Sequence, residues 1–193
     1  MIINDQKIYD GSFIHKRFAY KYFRDKTLPI GNIVSFVAPV EVTLNLIDLE
    51  DSLEKDYIYS ESMVNFCWEI PNLDPFGAVC FQRLFNTAIA NILYKSINKT
   101  IEMKGDDIMV HAEHNQGGIH QTKGKASVSI TYSKENVAIG HTGVNVVAGK
   151  KAPAFAFSTN LTPDQTIRFQ NDVINQFYSM VDNIFIATTK VIV

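Results

Sequence analysis

Three groups of residues in this 193-residue chain have types and spacings that could do chemistry. The first lies in Lys123-Gly124-Lys125-Ala126-Ser127-Val128-Ser129-Ile130, which reads as the ascending strand of a β-hairpin. On a regular strand Lys123 and Lys125 share one face, and two ammonium groups held together repel unless an anion lies between them. A carboxylate, phosphate or phosphoanhydride is what such a pair would hold. The plain alternative is an exposed strand end with the lysine stems lying along the surface. The second group, His141, Gly143 and Asn145, alternates along the next strand and so also shares a face. A glycine inside a strand weakens it unless a ligand or another backbone comes close. An Asn offers both donors and an acceptor to a nucleobase or an amide; an Asn bonded to a neighbouring loop fits the pattern equally well. The third group is Gly105-Asp106-Asp107, a turn whose carboxylates could meet Mg²⁺ or ribose hydroxyls, or simply be solvated.

Other reactive side chains are less organised. His111, His114 and His120 are close in sequence, as zinc ligands often are. On a strand, however, His111 and His114 point to opposite sides, and no metal is assigned to them. Cys67 and Cys80 sit in apolar stretches and read as buried, reduced thiols, whose environment raises a thiol pKa. Glu69, at the end of an apolar strand, is either a buried carboxylate with a role or a loop cap. Nucleophile-elbow, phosphate-loop and dinucleotide fingerprints are all missing from the sequence.

The elements that must position these residues are partly legible. Tyr9-Asp10-Gly11-Ser12 is a turn, and Phe13, Arg17, Tyr20 and Arg24 recur at helix-like spacing. Ile33–Val37 reads as a strand ending near Pro39, with Val42-Thr43-Leu44 as a continuation. Residues 48–56 form an acidic loop or helical turn. Met63–Ile70 is a strand closed by Pro71. Asp74-Pro75 then caps a helix that places Phe81, Leu84, Phe85, Ala88, Ile92 and Leu93 on one stripe. Strands are expected at 108–111, 126–132 and 137–147. Thr162-Pro163-Asp164-Gln165 is a capping box, opening a helix with Ile167, Ile174, Phe177, Val181 and Ile184 on one side. Residues 186–193 are a helix tail or a last strand. Hairpin-linked strands with helices predict an α+β fold with a mixed or antiparallel sheet, in a single domain over 1–193.

Composition is that of a globular protein, 46% hydrophobic and 20% charged, with a formal net charge of −2. That charge supplies no field for duplex nucleic acid or an anionic membrane, and no apolar run is long enough to span a bilayer. The cytoplasm is the expected location, and a homodimer is one candidate assembly.

The order of several short segments resembles the family known as domain of unknown function 366, described chiefly from archaea. The segments are Tyr9-Asp10-Gly11-Ser12 with Ala19-Tyr20, Gly105-Asp106-Asp107-Ile108, Lys125–Ile130 and His141–Val146. That family looks like a distant branch of the superfamily of biotin ligases, lipoate ligases, octanoyl transferases and class II aminoacyl-tRNA synthetases. The resemblance implies a biotin/lipoate-ligase-like fold in which Lys125 matches the lysine that contacts an acyl-adenylate or acyl carbonyl. His141, Gly143 and Asn145 match the family's second strand approximately. It further implies a small-molecule ligand, carboxylate activation with ATP and Mg²⁺, and Asp106 or Asp107 near the metal. The departures are large. The arginine- and glycine-rich runs of the ligases are missing, and no cysteine follows Asn145 where octanoyl transferases carry their nucleophile. A binding module that keeps the fold without the chemistry is the second expectation.

Overall fold

The computed structural model describes residues 1–4, 7–15, 17–23, 31–54 and 56–190. Two short helices, α1 (Ser12–His15) and α2 (Phe18–Phe23), precede strand β1 (Asn32–Val42). Helix α3 (Leu49–Glu54) leads to β2 (Ile58–Pro71) and the long helix α4 (Pro75–Ile97). The chain then returns through β3 (Thr100–Lys104), β4 (Asp107–His111), β5 (His114–Gln116), β6 (Ile119–Gln121) and β7 (Gly124–Lys125). Strands β8 (Ser127–Lys134) and β9 (Val137–Val147) and helix α5 (Pro163–Thr189) complete the order. The principal sheet runs β1-β2-β9-β8 and is antiparallel throughout. β3-β4-β7 form a second sheet and β5-β6 a hairpin. The architecture is α+β, with α4 and α5 laid on one face of the principal sheet.

Strand β2 sets how the two faces are used. Val64, Phe66, Trp68 and Ile70 point into a core shared with α4 and α5, whereas Met63 and Cys67 point into a second core with Tyr9, Phe18 and Phe36. A strand covered on both faces is apolar almost without interruption, which is why Met63–Ile70 stands out in the sequence. Trp68 meets Phe81 edge-on, and Phe177 of α5 lies 5.7 and 5.5 Å from the rings of Phe81 and Phe85. Burying each of these rings contributes roughly 2–3 kcal/mol.

Both long helices start where their caps predict. Asp74 accepts the N–H of Gly77 at the start of α4, and Thr162 with Gln165 forms the reciprocal capping box of α5. The stripes differ in part from expectation. Leu84, Ile167 and Ile184 face solvent at 55, 53 and 40% exposure, and Gln82, Asn86, Thr166 and Gln170 are buried instead. Helical spacing identifies a stripe, but its centre is fixed by the partner it meets. Phe13 lies in α1 and Tyr20 in α2, and Arg17, just before α2, has a left-handed φ of 51°; Arg24 lies outside the described residues. Thr43 and Leu44 leave the sheet after Val42, and the acidic stretch holds the exposed helix α3. The end of the chain is helical through Thr189, and Val191–Val193 lie outside the described residues. Among the described residues, no helix is long and apolar enough to cross a membrane.

Candidate functional site

Directly opposed residues of an antiparallel pair share a face. Met63 pairs with Asn145, Asn65 with Gly143 and Cys67 with His141, so these β9 residues lie on the face turned away from α4 and α5. The amino-terminal segment covers much of that face. Tyr9 enters as a parallel bridge beside Val40, where Pro39 occupies a β-bulge and its carbonyl accepts the Tyr9 N–H at 2.9 Å. Beside this cover a cleft of about 330 Å³ remains open. Its lining includes Tyr9, Ile14 and Val128, residues 45–48 and α3, and Asp107, Lys125 and Phe155.

Lys125 reaches the cleft because the chain changes sheets at Ala126. Before it, Lys125 pairs with Met109 in β7; after it, Ser127 pairs with Val144 in β8. At the crossing, the Ala126 N–H donates to Ile108 O and the Ala126 carbonyl accepts the Asn145 N–H, both at 2.8 Å. Lys125 therefore precedes the hairpin rather than standing on it, a correction to the sequence reading. Its Nζ lies 2.8 Å from Asp107 Oδ1, with both side chains roughly three-quarters buried.

Lys123 does not join it. It sits in a bend outside β7 and pairs with Glu102, which also receives His111 at 2.8 Å. Those two partners hold the exposed Glu102 carboxyl below its ordinary pKa. The expectation that both lysines share a face fails because a two-residue strand and a bend replace the regular strand it assumed. Lys123 lies outside the cleft lining.

On β9, His141 is 3% exposed, stacks on Tyr9 with centroids 4.1 Å apart, and bonds Asn65 Oδ1 through Nε2 at 2.9 Å. Asn65 Nδ2 donates to Met63 O, which turns its oxygen toward the ring. His141 Nε2 is therefore the protonated nitrogen. Burial lowers the His141 pKa to about 3, leaving a neutral wall residue. Gly143 has a different partner from the one its sequence suggested: a Cβ there would overlap Met63 Sδ, so the glycine makes room for Met63 and stays out of the lining. Asn145 does line the cleft, 4% exposed, and its Oδ1 is buried without a partner among the described residues.

Asp106 and Asp107 both line the cleft and both are paired. Asp106 lies 2.8 Å from Arg83 and accepts Gln82 Nε2 at 3.3 Å, while Gly105 supplies the turn at φ 64°. The sequence reading missed the acidic residues of the lining. Asp48, Glu50, Asp51 and Asp56 line the cleft, and Asp51 is held above the usual carboxylate pKa by burial first and then by Asp48 and Asp56, with Lys125 acting in the other direction. Their acidity was visible as a solvated run, but their placement depends on how β1 and β2 bracket them.

The remaining candidates are structural. His111 belongs to the Glu102 pair, His114 packs edge-on against Phe157, and His120 is exposed. No group of three metal-ligating side chains converges among the described residues. Cys67 is buried, which pushes its thiol pKa well up, but Cys80 is exposed, contrary to expectation. Glu69 proves to be buried, receiving Arg17 Nε at 2.7 Å and the Tyr20 N–H at 3.2 Å, so it anchors α2 to the sheet.

Solved structures share this fold. A protein of unknown function from Pyrococcus horikoshi is 22% identical, with a TM-score of 0.78 over 100% of this chain and 98% of that one. The P. falciparum protein LipL1, solved in complex with lipoate, is 15% identical, with a TM-score of 0.54 over 93% of this chain and 62% of that one. The biotin protein ligase from Aquifex aeolicus, solved with biotin and ATP, is 12% identical, with a TM-score of 0.54 over 94% of this chain and 70% of that one. At these identities the likeness concerns the fold, which is that of the biotin and lipoate ligases. No curated protein matches the sequence. The profile described as domain of unknown function (DUF366) spans residues 1–192, and the chain belongs to that family.

Proposed function

We propose that the cleft binds a small carboxylic acid or its acyl-adenylate, with Lys125 meeting the anionic oxygen. One observation carries the reading: Lys125 is the only lysine or arginine among the described residues lining the cleft. An ammonium has three N–H donors, and the pair with Asp107 leaves donors for a ligand. The apolar inner wall suits an aliphatic or ring-bearing body, and the ligase fold, whose relatives were solved with lipoate or biotin, supports the same class of ligand.

Binding is better supported than catalysis. A nucleotide triphosphate with Mg²⁺ needs several cations and free carboxylates. This lining offers one paired lysine, two paired aspartates and an acidic mouth. These residues fit ATP with Mg²⁺ poorly, and no reaction step is derived through them. His141, neutral and bonded to Asn65, serves as wall rather than as an acid.

Thermal shift and calorimetry with octanoate, lipoate, biotin and a non-hydrolysable acyl-adenylate test the reading. A shift that disappears in Lys125→Ala is expected. Urea unfolding of the unliganded Lys125→Ala variant shows whether it is folded under the binding conditions, so that lost binding is not read from an unfolded protein. No shift with any probe, or shifts unchanged in the variant, would overturn it. Pyrophosphate release with ATP, Mg²⁺ and a bound acid would mark a ligase instead of a binder.

A further inference from the structure

The cleft makes a second demand on its ligand. Asn145 lines it at 4% exposure, and its Oδ1 is buried with no donor among the described residues. The backbone of Asn145 is already engaged. Its N–H donates to Ala126, and its carbonyl accepts the Thr159 N–H at 3.1 Å and the Thr159 hydroxyl at 2.6 Å. An unmet buried acceptor costs about 1–3 kcal/mol, which an N–H from a ligand would relieve.

The rest of the lining supplies charge of the matching sign. Asp48, Glu50, Asp51 and Asp56 line the mouth, and none forms an ion pair among the described residues. Asp48 caps the N–H groups of Glu50 and Asp51, and Asp56 accepts the Tyr57 N–H, so these two carboxylates are also held in place. Crowded carboxylates favour a cation. They do not converge with other ligating groups as a metal site does, and an ammonium needs no fixed coordination geometry. Asn145 is bonded through its N–H to Ala126, the residue after Lys125. Both side chains line the same cleft, where one small ligand can meet them.

We infer that the ligand is a zwitterion of amino-acid type: its carboxyl meets Lys125, an amine N–H donates to Asn145 Oδ1, and the acidic rim balances the amine's charge. The anionic end rests on the carboxylate reading above; the amine end stands on Asn145 and the rim. Isothermal titration with matched pairs tests it: 6-aminohexanoate against hexanoate, L-leucine against 4-methylpentanoate, and L-phenylalanine against 3-phenylpropionate.

In at least one pair the amine-bearing member should bind about tenfold tighter or more. Asn145→Ala and the double variant Asp51→Asn/Asp56→Asn should each erase that preference, read as the ratio of the two affinities within a pair. The double variant changes rim side chains, so it keeps the test open if Asn145→Ala fails to fold. Plain acids binding as tightly as their amino partners, with Lys125 still required, overturn the zwitterion and leave the carboxylate reading standing. Hexylamine binding that depends on Asn145 but not on Lys125 overturns the carboxylate end instead. Binding of none of these probes overturns both.

Discussion

Replacing His141 with glutamine and following stability against pH isolates one buried group from the rest of the acid response. The imidazole is 3% exposed, stacked on Tyr9 and donating to Asn65, so protonation would place a charge where no carboxylate partner faces it. Burial lowers its pKa from the ordinary 6.5 to about 3. The unfolded chain thus binds the proton first. The stability tied to neutral His141 is complete above about pH 6.5 and drains away as pH falls toward 3. At about pH 5 the unfolded imidazole is roughly 1.5 units below its pKa, and at 1.36 kcal/mol per unit the folded state has lost about 2 kcal/mol. Urea unfolding read by the single buried tryptophan, Trp68, gives stability at each pH. Between about pH 8 and pH 5 the wild type should lose about 2 kcal/mol more than His141→Gln, at unchanged m-value. Parallel loss in the two proteins would refute the argument. So would a His141 ring resonance that titrates near pH 6 in the folded wild type, a check that needs no variant.

Arg17→Ala should cost more than Glu69→Gln, about 2–3 kcal/mol against about 1, because it strands a buried carboxylate whereas glutamine can still accept the Tyr20 N–H; equal losses in urea unfolding would refute this. Gly143→Ala should destabilise by about 1–3 kcal/mol by displacing Met63, and the cost should shrink when Met63→Ala is added; strict additivity of the two losses counts against that contact. In the native protein a thiol reagent should label Cys80 alone, with Cys67 reacting only after unfolding. Two fast-reacting thiols in the native state would contradict the buried Cys67.

The parts of the fold legible in the sequence are those fixed within a few residues. The Asp74 cap, the Thr162–Gln165 capping box and the apolar run of β2 each depend on neighbours in sequence, and each stands where the residues placed it. The β8–β9 hairpin is of the same kind: Glu135 and Asn136 at its tip take left-handed φ values of 51 and 62°. Failures share a cause too. Leu84, Ile167 and Ile184 have the right spacing but lie off the line where α4 and α5 meet the sheet and each other. Cys80 is apolar in context but sits on the outer side of α4. None of these can be decided without knowing what covers the helix.

The site shows the same division at finer scale. That His141 and Asn145 share a face of β9 follows from an alternation the sequence shows, and both line the same cleft as Lys125. That Lys125 stands off the hairpin follows from Ala126, whose two hydrogen bonds reach residues 18 and 19 positions away in opposite directions along the chain, and Lys123 leaves at the bend before the two-residue β7. Strand periodicity carries no trace of such a crossing. Its consequence is electrostatic. Two lysines on one face would have made a phosphate site; one lysine shared with Asp107, facing four carboxylates, makes a site that a polyanion should avoid. Moving one lysine out of the cleft thus changes the ligand to be tested, from an anion held between two cations to the zwitterion proposed above.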